Sequence, residues 1–158
     1  MNTEIKLMSG KDFLNIAELE KDFYDESKVA LINASTLYNS EKVFYIMADG
    51  QITGFAGILK KRLLPQFFIV VRSSSQGMGI GTLLTNAAIN YSLIKYKFIY
   101  LSTYNNGAYD SAIKIYKNLG FRIVDSNNDK LTMFISKGCL GFIKRIFLLL
   151  TLFFYKRR

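Results

Sequence analysis

The segment IVVRSSSQGMGIGTLL, residues 69–84, constrains the fold more than any other part of the chain. A run of β-branched residues ends at Arg72, and Gly77, Gly79 and Gly81 follow just before an apolar helical pattern. Glycine permits positive φ and lets another group approach the backbone closely. The first N–H groups of a helix lack partners inside it, and the helix dipole makes that end partly positive. The segment therefore predicts a strand, a glycine loop and a helix start suited to phosphate, with a turn that binds no ligand as the alternative.

Two familiar phosphate-binding motifs do not fit this loop. The sequence has no Gly-Lys-Ser/Thr, which a nucleoside triphosphate loop requires. The loop also lies in the middle of the chain, whereas a dinucleotide fold places its glycines in the opening β-α-β unit.

The composition excludes several kinds of chemistry. The chain has 158 residues, half of them hydrophobic, with one proline, which predicts one packed domain. It contains no histidine and one cysteine, so histidine triads, most zinc sites and internal disulfides are excluded, and we expect no metal. The N-terminus has no apolar signal-peptide core, which together with the single cysteine predicts a cytoplasmic protein.

Hydrophobic periodicity predicts a mixed sheet with helices packed on it, an α/β (α+β) fold in the order β-α-α-β-β-β-α-β-α-β-β. Asp49-Gly50 separates two strand-like runs and predicts a tight hairpin turn. Gly54 and Gly57, inside the second run, indicate a bulge or the close approach of another group. The predicted strands cover 3–8, the two runs beside the hairpin turn, 67–72, 98–103, 121–125 and 130–137, and the predicted helices cover about 11–23, 27–38, 80–94 and 109–120.

Two motifs in this order resemble those of the GCN5-related N-acetyltransferases (GNAT). The family's Arg/Gln-x-x-Gly-x-Gly/Ala motif is similar to Gln76-x-x-Gly79-x-Gly81. Its second hallmark, Tyr-x-x-x-Gly-Phe, matches Tyr116, Gly120 and Phe121. The resemblance covers roughly residues 3–137 and implies the GNAT acyl-CoA N-acyltransferase fold.

The resemblance implies acetyl-CoA as the cosubstrate, held between two parallel strands, 67–72 and 98–103. Pantetheine would pair with the backbone of one strand, and the pyrophosphate would bind loop N–H groups. The implied cofactor-binding residues are Ile69, Val70, Val71, Gln76, Gly77, Met78, Gly79, Ile80, Gly81, Thr82 and Asn106. Asn106 and Asn105 lie a few residues before the position near Tyr109 where the family often has an asparagine.

The resemblance also implies a general acid but leaves the base open. Tyr116 matches the family's acid, which protonates the departing thiolate; its structural alternative is a core residue. Strand 98–103 lacks the glutamate base that many members carry, and Ser102 and Thr103 stand nearest its expected position. A water relayed through Ser102 or Thr103 is one candidate base, and the others are the carboxylates of Asp25, Glu26 and Glu41.

The implied function is transfer of an acetyl group to a primary amine of a small molecule, such as an amino sugar of an envelope polysaccharide precursor. A protein N-terminus or an aminoacyl-tRNA also suits the family. The alternative of another class is a coenzyme A-binding module without turnover. The mildly basic body does not by itself indicate a nucleic-acid partner.

The C-terminal tail has a different composition from the rest. We place an acetyltransferase domain at 1–137 and a tail helix at 138–158, which holds five of the 21 Lys/Arg and no acidic residue. Its apolar run is too short to span a bilayer but suits a helix lying in the interface. We therefore expect residues 143–158 to contact the inner face of the cell membrane. The alternative is that this tail helix packs on the body of the protein or on the second subunit of a homodimer.

Overall fold

The computed structural model describes residues 4–17, 34–61, 64–127 and 129–138. Its strands are β1 Ile5–Met8, β2 Ser40–Ala48, β3 Gln51–Lys61, β4 Leu64–Val71, β5 Phe98–Tyr104, β6 Arg122–Asn127 and β7 Lys130–Ser136. Its helices are α1 Gly10–Ala17, α2 Ala34–Tyr38, α3 Ile80–Lys95 and α4 Asp110–Asn118, with one 3-10 turn at Ser73–Ser75.

The seven strands form a mixed sheet in the order β1-β2-β3-β4-β5-β7-β6. Strands β1, β2 and β3 pair antiparallel, as do β5 with β7 and β7 with β6. Strand β4 pairs parallel with β5, where Gln66 lies opposite Tyr100. The predicted fold class is confirmed, and the elements of the described residues follow the predicted order.

The hairpin between β2 and β3 turns as its sequence predicts. Asp49 and Gly50 both have positive φ, 51° and 80°. Positive φ at both central residues is the requirement of a type I′ turn, whose twist matches that of the strands it joins.

The contacts divide the chain into two compact units, each with its own core. The first comprises Met1–Lys61 and Phe67–Ala88. Its core centres on Phe13, whose ring lies 5.4 Å from that of Tyr45 and 4.9 Å from that of Phe55. The other buried members of this cluster are Leu37, Val43, Ile52 and Val70.

Both strand glycines of β3 are places of close approach, as predicted. The ring of Phe68 occupies the space that a side chain at Gly57 would need. A Cβ at Gly54 would lie only 3.0 Å from Ile80 Cγ2 and 3.2 Å from Leu84 Cδ1. The first turns of α3 therefore pack directly on β3, which fixes the position of the preceding glycine loop.

The second unit comprises Arg62–Gln66 and Ile89–Arg158. Its core cluster contains Leu64, Phe98, Tyr100 and Phe134. The Phe98 and Phe134 rings lie 5.7 Å apart. The Tyr100 hydroxyl donates to Gln66 Oε1 at 3.4 Å, and burial raises the pKa of this phenol to about 12.

Three boundaries or faces differ from the sequence prediction. Strand β4 begins at Leu64 and includes Pro65, at the start of a strand, where a missing N–H is tolerated. Leu83 and Ile94 belong to the apolar periodicity that predicts the helix at 80–94, but in α3 they are 43% and 76% exposed. The predicted turn at 126–129 is shorter because β6 continues to Asn127.

Some predictions fall outside the described residues. These are the end of the first predicted helix, the start of the second and the tail from residue 139, including the membrane contact predicted for 143–158. Within the described part, no helix has the length and apolarity needed to cross a membrane.

Candidate cofactor site and active-site residues

The glycine loop connects the end of β4 to the start of α3 within the first unit. After Arg72 the chain makes one 3-10 turn, Ser73–Ser75, and then passes through Gly77 and Gly79. Both glycines have φ of 78°, a conformation that L side chains rarely adopt. Nothing lies within 4 Å of the point where either Cβ would stand, so glycine is needed here for its backbone angles and not because of crowding.

Arg72 anchors the loop to the neighbouring strand. Its backbone N–H donates to the Thr53 carbonyl at 2.9 Å, and its side-chain Nε donates to the Ile52 carbonyl at 2.9 Å. Its own carbonyl accepts the N–H of Ser75 at 2.8 Å, which closes the 3-10 turn. The sequence does not predict this role of Arg72, because a local motif does not show which distant carbonyl a guanidinium contacts.

Arg72 contacts β3 where the pairing of β3 with β2 is irregular. Ile46 of β2 pairs with Gly54, but the next residue, Met47, pairs with Ile52, so Thr53 is an extra residue and forms a bulge. The buried Thr53 hydroxyl donates to the Ile46 carbonyl at 3.1 Å. The bulge presents the Thr53 carbonyl to Arg72 and thereby contributes to positioning the loop.

The loop presents a series of backbone donors. Gln76 N–H donates to the Ser73 carbonyl at 3.3 Å, so this predicted phosphate ligand is already engaged within the loop. Leu83 N–H donates to the Gly79 carbonyl at 3.1 Å and begins the hydrogen bonding of α3. Within the described residues, no backbone carbonyl accepts the N–H groups of residues 77–82. These six amides at a helix start are the elements of an anion site.

Gly81 differs from the two glycines before it. It lies in the first turn of α3, where its φ is not positive, and a Cβ there would lie 3.7 Å from Val71 Cγ2, which is ordinary contact. Neither backbone angle nor crowding within the protein therefore demands glycine. A ligand lying against the helix start would demand it.

The three residues predicted to pair with pantetheine lie in β4. Val70 is buried in the core of the first unit, whereas Ile69 and Val71 are half-buried. Their backbone role stays a prediction.

Tyr116 lies in α4 in the second unit and is buried, with 6% of its surface exposed. Its ring meets that of Phe121 edge-on at 5.9 Å, and Phe121 N–H donates to the Tyr116 carbonyl at 3.0 Å. Burial raises the pKa of the phenol above its ordinary value, because a phenolate would be poorly solvated. The hydroxyl thus keeps its proton at neutral pH, as a proton donor must.

The candidates for the base occupy different places. Ser102 on β5 is exposed, and Thr103 beside it is half-buried on the opposite face of the strand. Asn105 N–H donates to the Asp129 carbonyl at 2.6 Å, and Asn106 is exposed in the loop that follows β5. Glu41 lies half-buried on β2, whereas Asp25 and Glu26 are outside the described residues.

No three acidic or cysteine side chains in the described ranges lie together in a way that suits a metal ion.

A family comparison agrees with these features. The model of the acetyltransferase (GNAT) domain matches residues 39–123, more than half of the chain. The match includes β2 through α4, and with them the glycine loop and Tyr116. The chain belongs to the GNAT acetyltransferase family.

Solved structures share the fold at low sequence identity. A GNAT-family acetyltransferase from Streptococcus pneumoniae is 20% identical, with 87% of this chain and 100% of that chain covered and a TM-score of 0.62. The IAA acetyltransferase from Bacillus cereus ATCC 14579 is 17% identical, with 86% of this chain and 100% of that chain covered and a TM-score of 0.65. The Campylobacter jejuni N-acetyltransferase PseH, solved in complex with acetyl coenzyme A, is 19% identical, with 85% of this chain and 100% of that chain covered and a TM-score of 0.60. No curated protein sequence gives a significant match.

Proposed function

We propose that this chain is an acetyl-CoA-dependent N-acetyltransferase that acetylates a primary amine of a small molecule. Its membership of the GNAT family supports acetyl transfer. Two proteins with the same fold were solved with acetyl-CoA bound: PseH from Campylobacter jejuni, and YncA from Salmonella typhimurium.

The observation that carries the proposal is the series of six backbone N–H groups at residues 77–82. A diphosphate has several anionic oxygens and needs several convergent donors, which a helix start with a positive-φ loop supplies. At Gly81 a Cβ would meet only Val71 Cγ2, at the ordinary contact distance of 3.7 Å, so the protein itself does not crowd the first turn of the helix. These features fit the diphosphate of coenzyme A without a cationic side chain.

The chemistry follows from the groups that the chain offers. Bound acetyl-CoA supplies an activated acetyl thioester. The buried Tyr116 hydroxyl holds a proton, which we assign to the departing thiolate. Strand β5 has no carboxylate, so an amine that attacks must lose its proton to water or to a group outside this strand.

The acceptor is proposed as a small amine, with an amino sugar of an envelope precursor as the specific case. Acetyl transfer to such an amine is compatible with the family, and PseH, a structural neighbour, is itself described as an N-acetyltransferase. Because one fold serves many acceptors, a panel of amines tests this assignment.

The test is release of thiol from acetyl-CoA with glucosamine, spermidine and the dipeptide Ala-Phe as acceptors. We expect turnover of at least one amine, and a loss of about 10²-fold or more in kcat for Tyr116→Phe, because general acids contribute about 10²–10⁴-fold. The phenylalanine retains the ring against Phe121, so the Kd for acetyl-CoA should change little. Tyr109→Phe, a half-buried tyrosine at the start of α4, is the matched control.

The rival function is a coenzyme A-binding module, which the absence of a carboxylate on β5 favours. A chain that binds coenzyme A but releases no thiol with any amine would support that module. A chain that does not bind coenzyme A would contradict both functions.

A further inference from the structure

The two compact units differ in charge. The first contains eight Lys/Arg and nine Asp/Glu, a formal charge of −1, whereas the second contains thirteen Lys/Arg and three Asp/Glu, a formal charge of +10. The excess positive charge of the chain, +9, therefore belongs to the second unit. A field of this sign attracts an anionic partner and raises its local concentration.

Exposed basic side chains of the second unit lie at one end of its strands. Lys97 precedes β5 and Lys137 follows β7, and the Lys137 N–H donates to the Lys97 carbonyl at 2.8 Å. Arg122 is the first residue of β6 and pairs with Phe134, near the end of β7. Lys117 lies in the last turn of α4, which leads into β6. We call these four exposed residues the basic end: Lys97, Lys117, Arg122 and Lys137.

The acidic residues of this unit lie elsewhere. Asp110 is the first residue of α4, and Asp129 lies in the turn between β6 and β7, so both are at the opposite end of the strands. Asp125 lies inside β6. Within the described residues, no carboxylate forms an ion pair with any of the four bases. No described carboxylate therefore offsets the positive charge of the basic end.

The same end exposes an apolar side chain. Ile94, in the last turn of α3, is 76% exposed. The Lys97 Nζ donates to the Ile94 carbonyl at 3.1 Å, so an ammonium group and an exposed apolar residue lie side by side. This bond uses one of the three donors of the ammonium and leaves two. Nucleic acid offers no apolar phase to an isoleucine, whereas the boundary between lipid headgroups and acyl chains does.

The C-terminal tail follows directly from the basic end. Gly138, the last described residue, comes after Lys137. In sequence, residues 139–158 add five more Lys/Arg, no acidic residue and the apolar run 146–155, which is interrupted only by Thr151. The basic end and the tail thus share the two properties that favour an anionic bilayer surface, positive charge and apolar side chains.

We propose that the basic end binds the surface of an anionic phospholipid bilayer, with its four cations among the headgroups and Ile94 at the apolar boundary. This surface belongs to the described part of the second unit and adds to the contact expected of residues 143–158. The inference does not depend on the proposed acetyltransferase function, because none of these residues lies in the glycine loop or at Tyr116.

The test is cosedimentation of the full-length chain with phosphatidylcholine vesicles that contain about 30% phosphatidylglycerol, compared with vesicles of phosphatidylcholine alone. We expect the wild type to bind the anionic vesicles and not the neutral ones. Salt at about 1 M should weaken this binding, because it screens exposed charges beyond about 3 Å.

The test variant combines Lys97→Gln, Arg122→Gln and Lys137→Gln. Its partition coefficient for anionic vesicles should fall at least tenfold, since each basic residue near an anionic surface contributes about fivefold. Ile94→Gln, at an exposed position, should lower the partition coefficient at least threefold. This single variant serves as the test if the triple variant melts well below the wild type.

The matched control combines Lys6→Gln, Lys11→Gln and Lys130→Gln. All three lysines are exposed; Lys6 and Lys11 belong to the first unit, and Lys130 begins β7 at the end opposite the basic end. This control has the same net charge as the test variant, so it separates the position of the charges from their number. Its partition coefficient should change less than threefold.

Three results would overturn the inference. Equal losses in the two triple variants would mean that net charge and not position determines binding. Wild-type binding by the test variant would mean that the tail alone makes the contact. A wild type that does not bind the anionic vesicles, whether or not it binds a single-stranded oligouridylate in a parallel assay, would exclude the bilayer as the partner. The thiol-release assay of the proposed function is independent of all three results.

Discussion

Gly77 and Gly79 have the same backbone requirement, whereas Gly81 does not. The first two hold φ of 78°, where a side chain strains the backbone. Gly81 is in the first turn of α3, with space for a Cβ at ordinary contact distance. A substitution at Gly81 therefore separates ligand binding from folding, which substitutions at the other two do not.

Gly81→Ala is expected to leave the fold intact and to weaken coenzyme binding. Alanine is the better helix former by up to about 1 kcal/mol, so the melting temperature should stay the same or rise. The added methyl group would occupy space that we assign to the diphosphate, so the Kd for coenzyme A should rise at least tenfold, or about 1.4 kcal/mol. Calorimetric titration measures the Kd.

The control is Asn86→Ala, on the exposed face of the same helix. It changes helix propensity but not the space at the loop, so its Kd should equal that of the wild type. Wild-type affinity in Gly81→Ala would show that no ligand lies against this turn.

Tyr100 gives a stability prediction with a definite sign. Burial raises its pKa in the folded protein to about 12, above that of an unfolded tyrosine. Its stabilising contribution is thus complete below about pH 10 and is lost as the pH rises toward 12, because the unfolded chain then releases the proton more readily. The free energy of unfolding should fall between pH 9 and pH 12 in both proteins, but by about 2 kcal/mol less in Tyr100→Phe than in the wild type. Urea titration at each pH measures this difference, and an equal fall in the two proteins would contradict the prediction.

At the scale of elements, the sequence predicted which strands and helices exist but not all of their contacts. Asp49-Gly50 determines its hairpin locally, because both residues tolerate positive φ, so the turn was predictable. The pairing of Asp125 with Thr132 was not, since strand alternation from Ile123 assigns Asp125 to the opposite face. The bulge at Val124 depends on pairing with β7, which a single strand's sequence does not reveal.

The face of α3 shows a similar limit. Leu83 and Ile94 fit the apolar period of the helix but are exposed, since burial depends on which neighbours the helix meets. Of the candidate site, the glycine loop and Tyr116 were predictable from motifs. The Arg72 anchor was not, because it depends on carbonyls of β3 about twenty residues away.

The packing of α3 on β3 can be tested at Gly54. A methyl group there would lie within 3.0–3.2 Å of Ile80, the Val70 carbonyl and Leu84. Gly54→Ala should therefore destabilise the protein by about 1–3 kcal/mol, the usual penalty of overpacking. Urea unfolding measures this change, with Gly81→Ala as the uncrowded control. An unchanged midpoint would mean that the helix does not press on the strand in this way.

At the scale of the whole molecule, the fold is shared with proteins that are 15–20% identical, and one fold of this kind serves many acceptors. The proposed donor site lies in the first unit, and Tyr116 lies in the second. Variants of the loop should therefore change the Kd for coenzyme A, and Tyr116→Phe should change kcat.

The central claim is that the amides of residues 77–82 bind the diphosphate of coenzyme A. The most direct measurement is a titration of the ¹⁵N-labelled full-length chain, followed by amide NMR shifts, with coenzyme A and with pantetheine, which lacks the diphosphate. Coenzyme A should shift the amides of Gly77, Gly79 and Gly81 among the most strongly in the chain, and pantetheine should leave them nearly unchanged. If coenzyme A saturates the protein and the NMR shifts of these amides do not change, the claim is contradicted.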